Sequence, residues 1–393
     1  MALYFSRYMR ILFCTDTYPP QVNGVSVVTA LSVQGLRARG WDVEVIAPKY
    51  PDRNQVVFAP ELLRNQLTSI PSVPLPGYND IRLAAPARGT VRAVIDRVKP
   101  DVVHSATEFV IGRLGQRAAL QRGITVTTSY HTDFAKYTAS YGVPFLRGTV
   151  QRWIRRFHAN AARIFTPSEP ARGDLLALGL HDVEVWGRGV DDTLFHPSKR
   201  SFALRQRLSP GNAFTFLHVG RLAPEKGIAV LLNAFAIVEQ ALGSDSVKLV
   251  VAGAGPSLAG LRERAPSNVT FLGNLDRQRE LPALYASADA FLFASTTETL
   301  GLVVLEAMAS GLPVIATPAG GVADNLRDGD NGLAFPAMDA KACAAAMLRL
   351  VEDQALHRTL REGARKWSER RTWEHEMDRL DASYREVLSR RGQ

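Results

Sequence analysis

The stretch FASTTETLGLVVLEAMASG, residues 293–311, contains the pattern that decides the fold. It reads as the end of a buried apolar strand, a short polar loop and a helix that Thr299 or Glu298 would cap. The backbone N–H groups of Gly301 and Leu302 would then lie at the positive end of the helix dipole, where phosphate binds favourably. The stretch therefore predicts a strand, loop and helix that together bind an anion.

Two glutamates lie on either side of this predicted anion site. Glu306 is displaced from Gly301 by about 7 Å along the helix axis, at roughly 1.5 Å per residue. That is close to the reach from a diphosphate to the ribose of the same nucleotide, whose hydroxyls a carboxylate can accept. Glu298 lies in the loop on the other side, where a sugar attached to the diphosphate would be held. A nucleotide sugar fits this spacing, and so does an ordinary amphipathic helix with two solvated glutamates.

Apolar strands alternate with helical stretches, which predicts two doubly wound α/β domains with parallel sheets. The strands expected in the first half are residues 11–14, 43–47, 102–104, 125–129 and 164–166. Those expected in the second half are residues 216–219, 247–253, 268–273, 289–294, 313–317 and 332–335. Because ligands bind beyond the carboxyl ends of such strands, two facing edges would form a cleft between the domains.

Glycine and proline interrupt both periodicities in residues 186–200, where we place the linker between the domains. The first domain is then residues 1–185, and the second is residues 201–371. Residues 372–393 have the pattern of a charged amphipathic helix. A chain of 393 residues is long for a single core, which independently favours two domains.

The composition narrows the classes of partner. A net charge of +9 and a pI near 9.7 favour phosphates, anionic lipid surfaces or nucleic acid. Nucleic acid is not expected, because the sequence has no zinc-finger spacing, no aromatic RNA-binding strand and no dense basic run. Cys14 and Cys343 offer neither a disulfide framework nor a metal cluster. The apolar runs are all shorter than the roughly 18 residues that span a bilayer, so we expect a cytoplasmic protein.

Polar residues follow other predicted strands. Arg221 and Lys226 come after the strand at residues 216–219 and before a helix. This arrangement suits a diphosphate, because arginine offers a planar fork and lysine a point charge. Both would stabilise a leaving nucleoside diphosphate as its charge develops. A surface cluster of charged residues is the alternative interpretation.

Five segments of the chain, in order, resemble the retaining glycosyltransferases of family 4, which have the GT-B fold. They are TDTYPPQVNGVS at 15–26, HTDF at 131–134, GRGVD at 187–191, GRLAPEKG at 220–227, and the E-x7-E pair in 293–311. The resemblance implies that the first domain binds the acceptor and the second binds the nucleotide sugar. It also implies that residues 372–393 pack back on the first domain, and that the anomeric configuration is retained without a covalent enzyme intermediate.

The resemblance, with the residue chemistry, assigns roles to individual residues. The catalytic set is His131, Arg221, Lys226 and Glu298. The donor-binding set is Gly24, Arg221, Lys226, Gly253, Gly255, Gly273, Leu275, Thr299, Leu300, Gly301, Leu302 and Glu306. The acceptor-binding set is Asn23, Asp133 and Tyr137, and Asp133 is also a candidate for orienting the imidazole of His131. A lone histidine after a strand is more often structural than catalytic, so the role of His131 depends on the resemblance.

The variants TETLG and HTDF look most like the branch that makes membrane glycolipids, including mannosyl-, glucosyl- and sulfoquinovosyl-diacylglycerol synthases. GDP-mannose and UDP-hexoses are therefore both expected donors, with a lipid or saccharide acceptor. Residues 144–165 interleave arginines with Trp and Phe, which suits an interfacial helix at the cytoplasmic face of an anionic membrane. A helix packed on the sheet, with its arginine face in water, is the alternative.

No metal or other cofactor is expected, because no Asp-x-Asp follows a predicted strand and no His, Cys and Asp residues have metal-ligand spacing. Two other functions fit the architecture. One is a nucleotide-sugar epimerase or a phosphorylase, which the order of GRLAPEKG and E-x7-E argues against. The other is a catalytically silent nucleotide-sugar-binding subunit of a synthase complex, which the presence of all the candidate catalytic residues argues against.

Overall fold

A computed structural model describes residues 8–21, 23–50, 66–75, 78–85, 88–135, 138, 142–187, 189–209, 211, 213–298 and 301–390. Two parallel sheets, each covered by helices, form the framework. The two doubly wound α/β domains expected from the alternation are confirmed.

The first sheet has the strand order β3-β2-β1-β6-β7-β8-β9, and all its neighbours are parallel. Its strands are β1 (Arg10–Cys14), β2 (Asp42–Pro48), β3 (Leu67–Ile70), β6 (Val102–Ser105), β7 (Thr125–Ser129), β8 (Arg163–Thr166) and β9 (Val183–Val185). A separate antiparallel pair consists of β4 (Ser72–Leu75) and β5 (Tyr78–Ala84). The helices are α1 (Gly24–Ala38), α2 (Arg88–Val98), α3 (Val110–Leu120), α4 (Arg147–His158) and α5 (Glu169–Ala177).

The second sheet has the order β12-β11-β10-β13-β14-β15 and is also parallel. Its strands are β10 (Phe214–Val219), β11 (Val247–Ala252), β12 (Val269–Gly273), β13 (Ala290–Phe293), β14 (Val314–Ala316) and β15 (Gly332–Ala334). Its helices are α6 (Phe202–Leu208), α7 (Ile228–Leu242), α8 (Leu258–Arg264), α9 (Leu281–Ser287), α10 (Leu302–Ala309), α11 (Gly321–Asn325), α12 (Ala340–Glu352) and α13 (Gln354–Glu369).

Strand order reverses between β10 and β13 in the second sheet, because β11 and β12 lie on one side and β14 and β15 on the other. The loops that leave β10 and β13 therefore diverge to opposite faces. Such a switch point leaves a crevice beyond the carboxyl ends of the strands, where doubly wound folds bind their ligands. The first sheet has the equivalent reversal between β1 and β6.

The last helix, α14 (Trp373–Ser389), packs against α1 of the first domain. Met377, Leu380 and Tyr384 are buried in the apolar cluster that also contains residues of β1 and β2. The indole of Trp186 donates to the carbonyl of Glu376 over 2.8 Å, which joins the linker to the same helix. The chain thus returns to its first domain after completing the second.

The prediction that Glu298 caps α10 is wrong. The helix begins at Leu302, and its N-cap is Gly301, with φ of +75° and no side-chain cap. Only glycine adopts this left-handed conformation at little cost. Glu298 is instead engaged by Lys226, while Thr299 lies outside the described residues.

Residues 144–165 correspond to a short turn, α4 and β8, and much of their apolar content is internal. Ile154 and Phe157 are buried, and so is Arg163, which pairs with Glu184 and Glu386. These side chains therefore do not form a membrane-facing surface. The exposed residues of the segment include Phe145, Leu146, Arg147, Arg152, Arg155 and Arg156.

Candidate active site

The loops after β10 and β13 meet at the switch point of the second sheet. Lys226 Nζ lies 2.6 Å from Glu298 Oε2, and both side chains are mostly buried. Ser295 Oγ donates to the carbonyl of Glu225 over 3.3 Å, which holds the same two loops together through the backbone. A Cβ on Gly227 would meet the carbonyl of Ala294, so only glycine allows this approach. A cation and a carboxylate are thereby fixed side by side at the sheet edge.

Arg221 lies on the same loop as Lys226. Its guanidinium pairs with the buried carboxylate of Glu225, while 38% of the Arg221 side chain remains exposed. The buried anion keeps the arginine in place, because breaking the pair would leave an uncompensated charge. Beneath this loop, His218 Nδ1 donates to the carbonyl of Leu292 over 3.0 Å, and burial lowers the pKa of His218 to about 4. A neutral imidazole therefore supports a loop that presents two cations.

The start of α10 lies next to Glu298. The Cβ position of Gly301 is 3.6 Å from Cγ of Glu298, and the carbonyl of Glu298 accepts a hydrogen bond from Gly321 over 2.9 Å. Leu302 packs against the apolar cluster of the first domain, so this helix start faces the other domain. The structure thus brings Lys226, Glu298 and Gly301 together at one place.

Glu306 is on α10 and 3% exposed. Its Oε1 accepts from Nε and Nη2 of Arg277 over 2.9 and 2.7 Å, and its Oε2 accepts from the hydroxyl of Tyr285 over 3.3 Å. Burial and the nearby carboxylate of Glu306 raise the pKa of Tyr285 well above its usual value, so the phenol remains a donor. Glu306 is therefore held in one orientation rather than solvated.

Gly253 and Gly255, which are predicted to bind the donor, pack against the loop after β10. A Cβ on Gly253 would meet the carbonyl of Gly220, and one on Gly255 would meet the carbonyl of Leu222. Gly273 has φ of +74°, and its carbonyl accepts from the N–H of Gly253 over 2.7 Å. Leu275, which was also predicted to bind the donor, is partly buried and packs on the core of the second domain.

The predicted residues of the first domain lie at the carboxyl edge of its own sheet. His131 is half-buried and lines a small pocket with His104, Ser129 and Tyr384. Asp133 is buried. Burial raises the pKa of the neighbouring Tyr130, and the charge of Asp133 and its hydrogen bond raise that pKa further. The orientation of the His131 imidazole by Asp133 stays a prediction.

The start of α1 carries two further predictions. Asn23 Oδ1 accepts from the N–H of Ser26 over 2.8 Å as the helix N-cap, and its amide donates to Thr17 Oγ1 over 2.9 Å. Gly24 is exposed and borders open space, which allows close approach of a ligand. Three other predicted residues, Thr299, Leu300 and Tyr137, lie outside the described residues.

Sequence reasoning missed Arg277, Tyr285 and the structural role of Asp16. The carboxylate of Asp16 accepts from Ile111 N over 2.8 Å and from Thr107 Oγ1 over 2.7 Å, so it holds the start of α3. Its place directly after a strand was the available signal. Arg277 follows β12 at the same sheet edge, but charged residues are common there, so position alone could not single it out.

Among the described residues, no group of three or more His, Cys, Asp or Glu side chains is arranged to hold a metal ion. None of the helices described combines the length and apolarity that crossing a membrane requires.

Comparison with known proteins agrees with this geometry. Residues 22–194 match the family described as Glycosyltransferase Family 4, and residues 199–367 match Glycosyl transferases group 1. The GDP-mannose-dependent alpha-mannosyltransferase of Mycolicibacterium smegmatis is 35% identical over 98% of this chain and 99% of its own. The alpha-monoglucosyldiacylglycerol synthase of Streptococcus pneumoniae is 34% identical over 78% of this chain and 71% of its own.

A solved structure shows the same fold. Sucrose-phosphate synthase from Thermosynechococcus elongatus superposes with a TM-score of 0.79 at 22% identity, covering 98% of this chain and 100% of its own. The fold and the site together are those of a GT-B glycosyltransferase that acts on nucleotide sugars. Within that class, the chain belongs to glycosyltransferase family 4, and the resemblance found in the sequence is confirmed.

Proposed function

We propose that this protein is a retaining, metal-independent hexosyltransferase that glycosylates a lipid or glycolipid hydroxyl, with GDP-mannose as the leading donor and UDP-hexoses as the alternative. The observation that carries the proposal is the 2.6 Å contact between Lys226 and Glu298. It fixes a cation for the diphosphate beside a carboxylate for the sugar hydroxyls, next to the start of α10. In a nucleotide sugar, the diphosphate and the sugar hydroxyls are likewise adjacent to each other.

The charge on the leaving diphosphate is stabilised by Arg221, Lys226 and the backbone amides at Gly301 and Leu302. Preorganised donors of this kind lower the barrier because they need no reorganisation as charge develops. They supply the positive charge that a divalent ion supplies in other transferases. Metal independence follows as part of the proposal.

Retention of configuration requires attack from the face that the diphosphate leaves. The acceptor oxygen forms its bond to the anomeric carbon as the bond from that carbon to the diphosphate oxygen breaks. The acceptor proton passes to a phosphate oxygen. Glu298 and His131 hold the sugar during this exchange, so the protein acts by positioning and electrostatics.

The relatives guide the choice of substrates. The mannosyltransferase of Mycolicibacterium smegmatis is named for GDP-mannose and spans nearly all of this chain. The diacylglycerol synthase of Streptococcus pneumoniae is named for a glycolipid product and matches less of it. We therefore place GDP-mannose first among donors and a diacylglycerol-based lipid first among acceptors.

Two exposed apolar side chains of the first domain support the proposal of membrane binding. Phe145 is 78% exposed and Leu146 is 41% exposed. They directly precede α4, whose first residue is the exposed Arg147. Exposed apolar side chains with arginines beside them suit the interface of an anionic bilayer. We propose that the protein binds there peripherally, so that a lipid acceptor reaches the cleft.

A donor panel tests the proposed function. GDP-mannose, UDP-glucose, UDP-galactose, UDP-N-acetylglucosamine and UDP-glucuronate are each scored for release of nucleoside diphosphate, with and without lipid extract and with EDTA. The proposal expects lipid-dependent release from GDP-mannose that EDTA leaves unchanged, and an α-linked product. Release from none of the donors would favour a silent binding subunit, and loss of activity in EDTA would overturn the metal-free mechanism.

A further inference from the structure

The buried pair of Arg277 and Glu306 has a geometry beyond what a surface ion pair needs. Two nitrogens of the guanidinium donate to a single oxygen, Oε1, over 2.9 and 2.7 Å. The side chains are only 16% and 4% exposed, respectively. Because the pair is shielded from water and doubly hydrogen-bonded, the arginine fixes the plane in which the carboxylate lies.

The two oxygens of Glu306 differ in how many hydrogen bonds they accept. Oε2 accepts one hydrogen bond, from the hydroxyl of Tyr285 over 3.3 Å. A carboxylate has about four acceptor sites, and the two donors on Oε1 and the one on Oε2 account for about three. The remaining lone pair is on Oε2, the oxygen that Arg277 does not occupy.

The linker helps to hold this arrangement. The guanidinium of Arg277 lies 5.0 Å from the ring centroid of Phe195, which precedes the short turn Pro197–Lys199. Phe195 in turn packs edge-on against Tyr285, with ring centroids 5.6 Å apart. Both side chains that bond Glu306 are therefore braced by one aromatic ring from the segment between the domains.

We propose that Arg277 is a positioning residue for the donor, because it orients Glu306 so that Oε2 accepts a hydroxyl of the nucleotide ribose. Tyr285 completes the orientation, and Phe195 fixes Arg277. This inference rests on the proposed function and on the sequence-based prediction that Glu306 faces the ribose. It adds a residue that acts on the nucleoside rather than on the sugar or the diphosphate.

The test compares nucleotides with and without ribose hydroxyls. Calorimetry measures the affinity of the full-length protein for GDP and 2′,3′-dideoxy-GDP, and for UDP and 2′,3′-dideoxy-UDP. In the wild type, the better-bound ribonucleotide should bind about tenfold or more tightly than its dideoxy form, since a hydrogen bond to a charged group is involved. In Arg277→Met that ratio should fall to about threefold or less, and Arg277→Lys should lie between, because lysine keeps the charge but not the fork.

A matched control is Arg264→Met, which removes an exposed arginine at the end of α8. It should keep the wild-type ratio. Thermal unfolding checks that each variant is folded, and Tyr285→Phe offers a milder change that removes one hydroxyl and should lower the ratio partway. The KM for the donor should rise about tenfold in Arg277→Met, with kcat within threefold of the wild-type value.

The outcomes separate this inference from the proposed function. A folded Arg277→Met that keeps the wild-type ratio would overturn the role of Arg277 while leaving nucleotide-sugar transfer intact. Tighter binding of the ribonucleotide by Arg277→Met would show that Arg277 competes with the ribose, and would also overturn it. If the wild type binds neither nucleotide, the proposed function fails, and the inference fails with it.

Discussion

Lys226 and Glu298 are 72 residues apart in sequence, yet Nζ and Oε2 lie 2.6 Å apart in the structure. The contact joins the loop after β10 to the loop after β13, at the point where strand order reverses. A diphosphate that enters the site would share the ammonium with this carboxylate. In the proposed function, this contact would link the leaving group and the transferred sugar through one cation.

Replacing Lys226 by alanine should lower kcat by roughly two orders of magnitude, because one preorganised donor to the leaving diphosphate is lost. Lys226→Arg should recover part of the activity, since it restores the charge. Steady-state release of nucleoside diphosphate at saturating donor measures both variants. Lys341→Ala, at an exposed position in α12, is the control and should behave as the wild type. Near-normal turnover in Lys226→Ala would remove this residue from the reaction.

Gly253 should not tolerate a side chain. Its φ is +140°, and a Cβ would meet the carbonyl of Gly220, so Gly253→Ala must displace the loop that carries Arg221 and Lys226. Because a small misplacement of catalytic groups is costly, we expect a loss of kcat/KM of about a hundredfold. Gly260→Ala is the matched change, since Gly260 borders open space on α8 and should retain activity. Full activity of Gly253→Ala would show that the loop accommodates the methyl group.

The buried His218 should make the folded protein less stable in acid. Burial lowers its pKa from 6.5 to about 4 in the folded protein, so the unfolded chain takes up the proton first as the pH falls. The free energy of unfolding should therefore decrease between pH 6.5 and 4, by about 3 kcal/mol from this one group. His218→Gln can still donate to Leu292 but does not titrate, so it should lose less stability over that interval.

Urea unfolding at pH 7 and at about pH 4.5 measures the difference. His181→Gln, at an exposed position, is the control and should keep the wild-type dependence on pH. An identical pH dependence for His218→Gln and the wild type would contradict a neutral, buried imidazole at this position.

If the first domain binds the membrane through Phe145 and Leu146, changes at these two residues should weaken vesicle binding. Phe145→Ser with Leu146→Ser should reduce binding to vesicles containing anionic lipid by about tenfold or more, because each apolar side chain contributes roughly 1.5–3 kcal/mol when buried. Vesicle flotation measures the bound fraction, and neutral vesicles should bind weakly in every case. Phe202→Ser removes a similarly exposed aromatic residue from the second domain and should not alter binding. Equal flotation with neutral and anionic vesicles would refute the proposed surface.

The sequence predicted the sheet framework well because its strands are short apolar runs that alternate with helices. All five strands expected in the first half, and all six in the second, are found within a few residues of their expected bounds. The strands β3 and β9 and the pair β4 and β5 were not expected, because they are short or partly polar. Their positions depend on neighbours that are distant in sequence.

The candidate site was likewise predicted only in part. Motif order pointed to the loops after β10 and β13, but not to the ion pair between Lys226 and Glu298, which depends on how two distant loops meet. Arg277 was missed for the same reason. Its significance comes from Glu306 on another helix and from Phe195 in the linker, and neither is near it in sequence.

A structure of the protein with bound nucleoside diphosphate tests the central claim most directly. The diphosphate should lie within hydrogen-bonding distance, about 3 Å, of Lys226 Nζ and of the amide groups at the start of α10, with the ribose against Glu306. Binding of the nucleotide at the carboxyl edge of the first sheet, or away from both sheet edges, would contradict it.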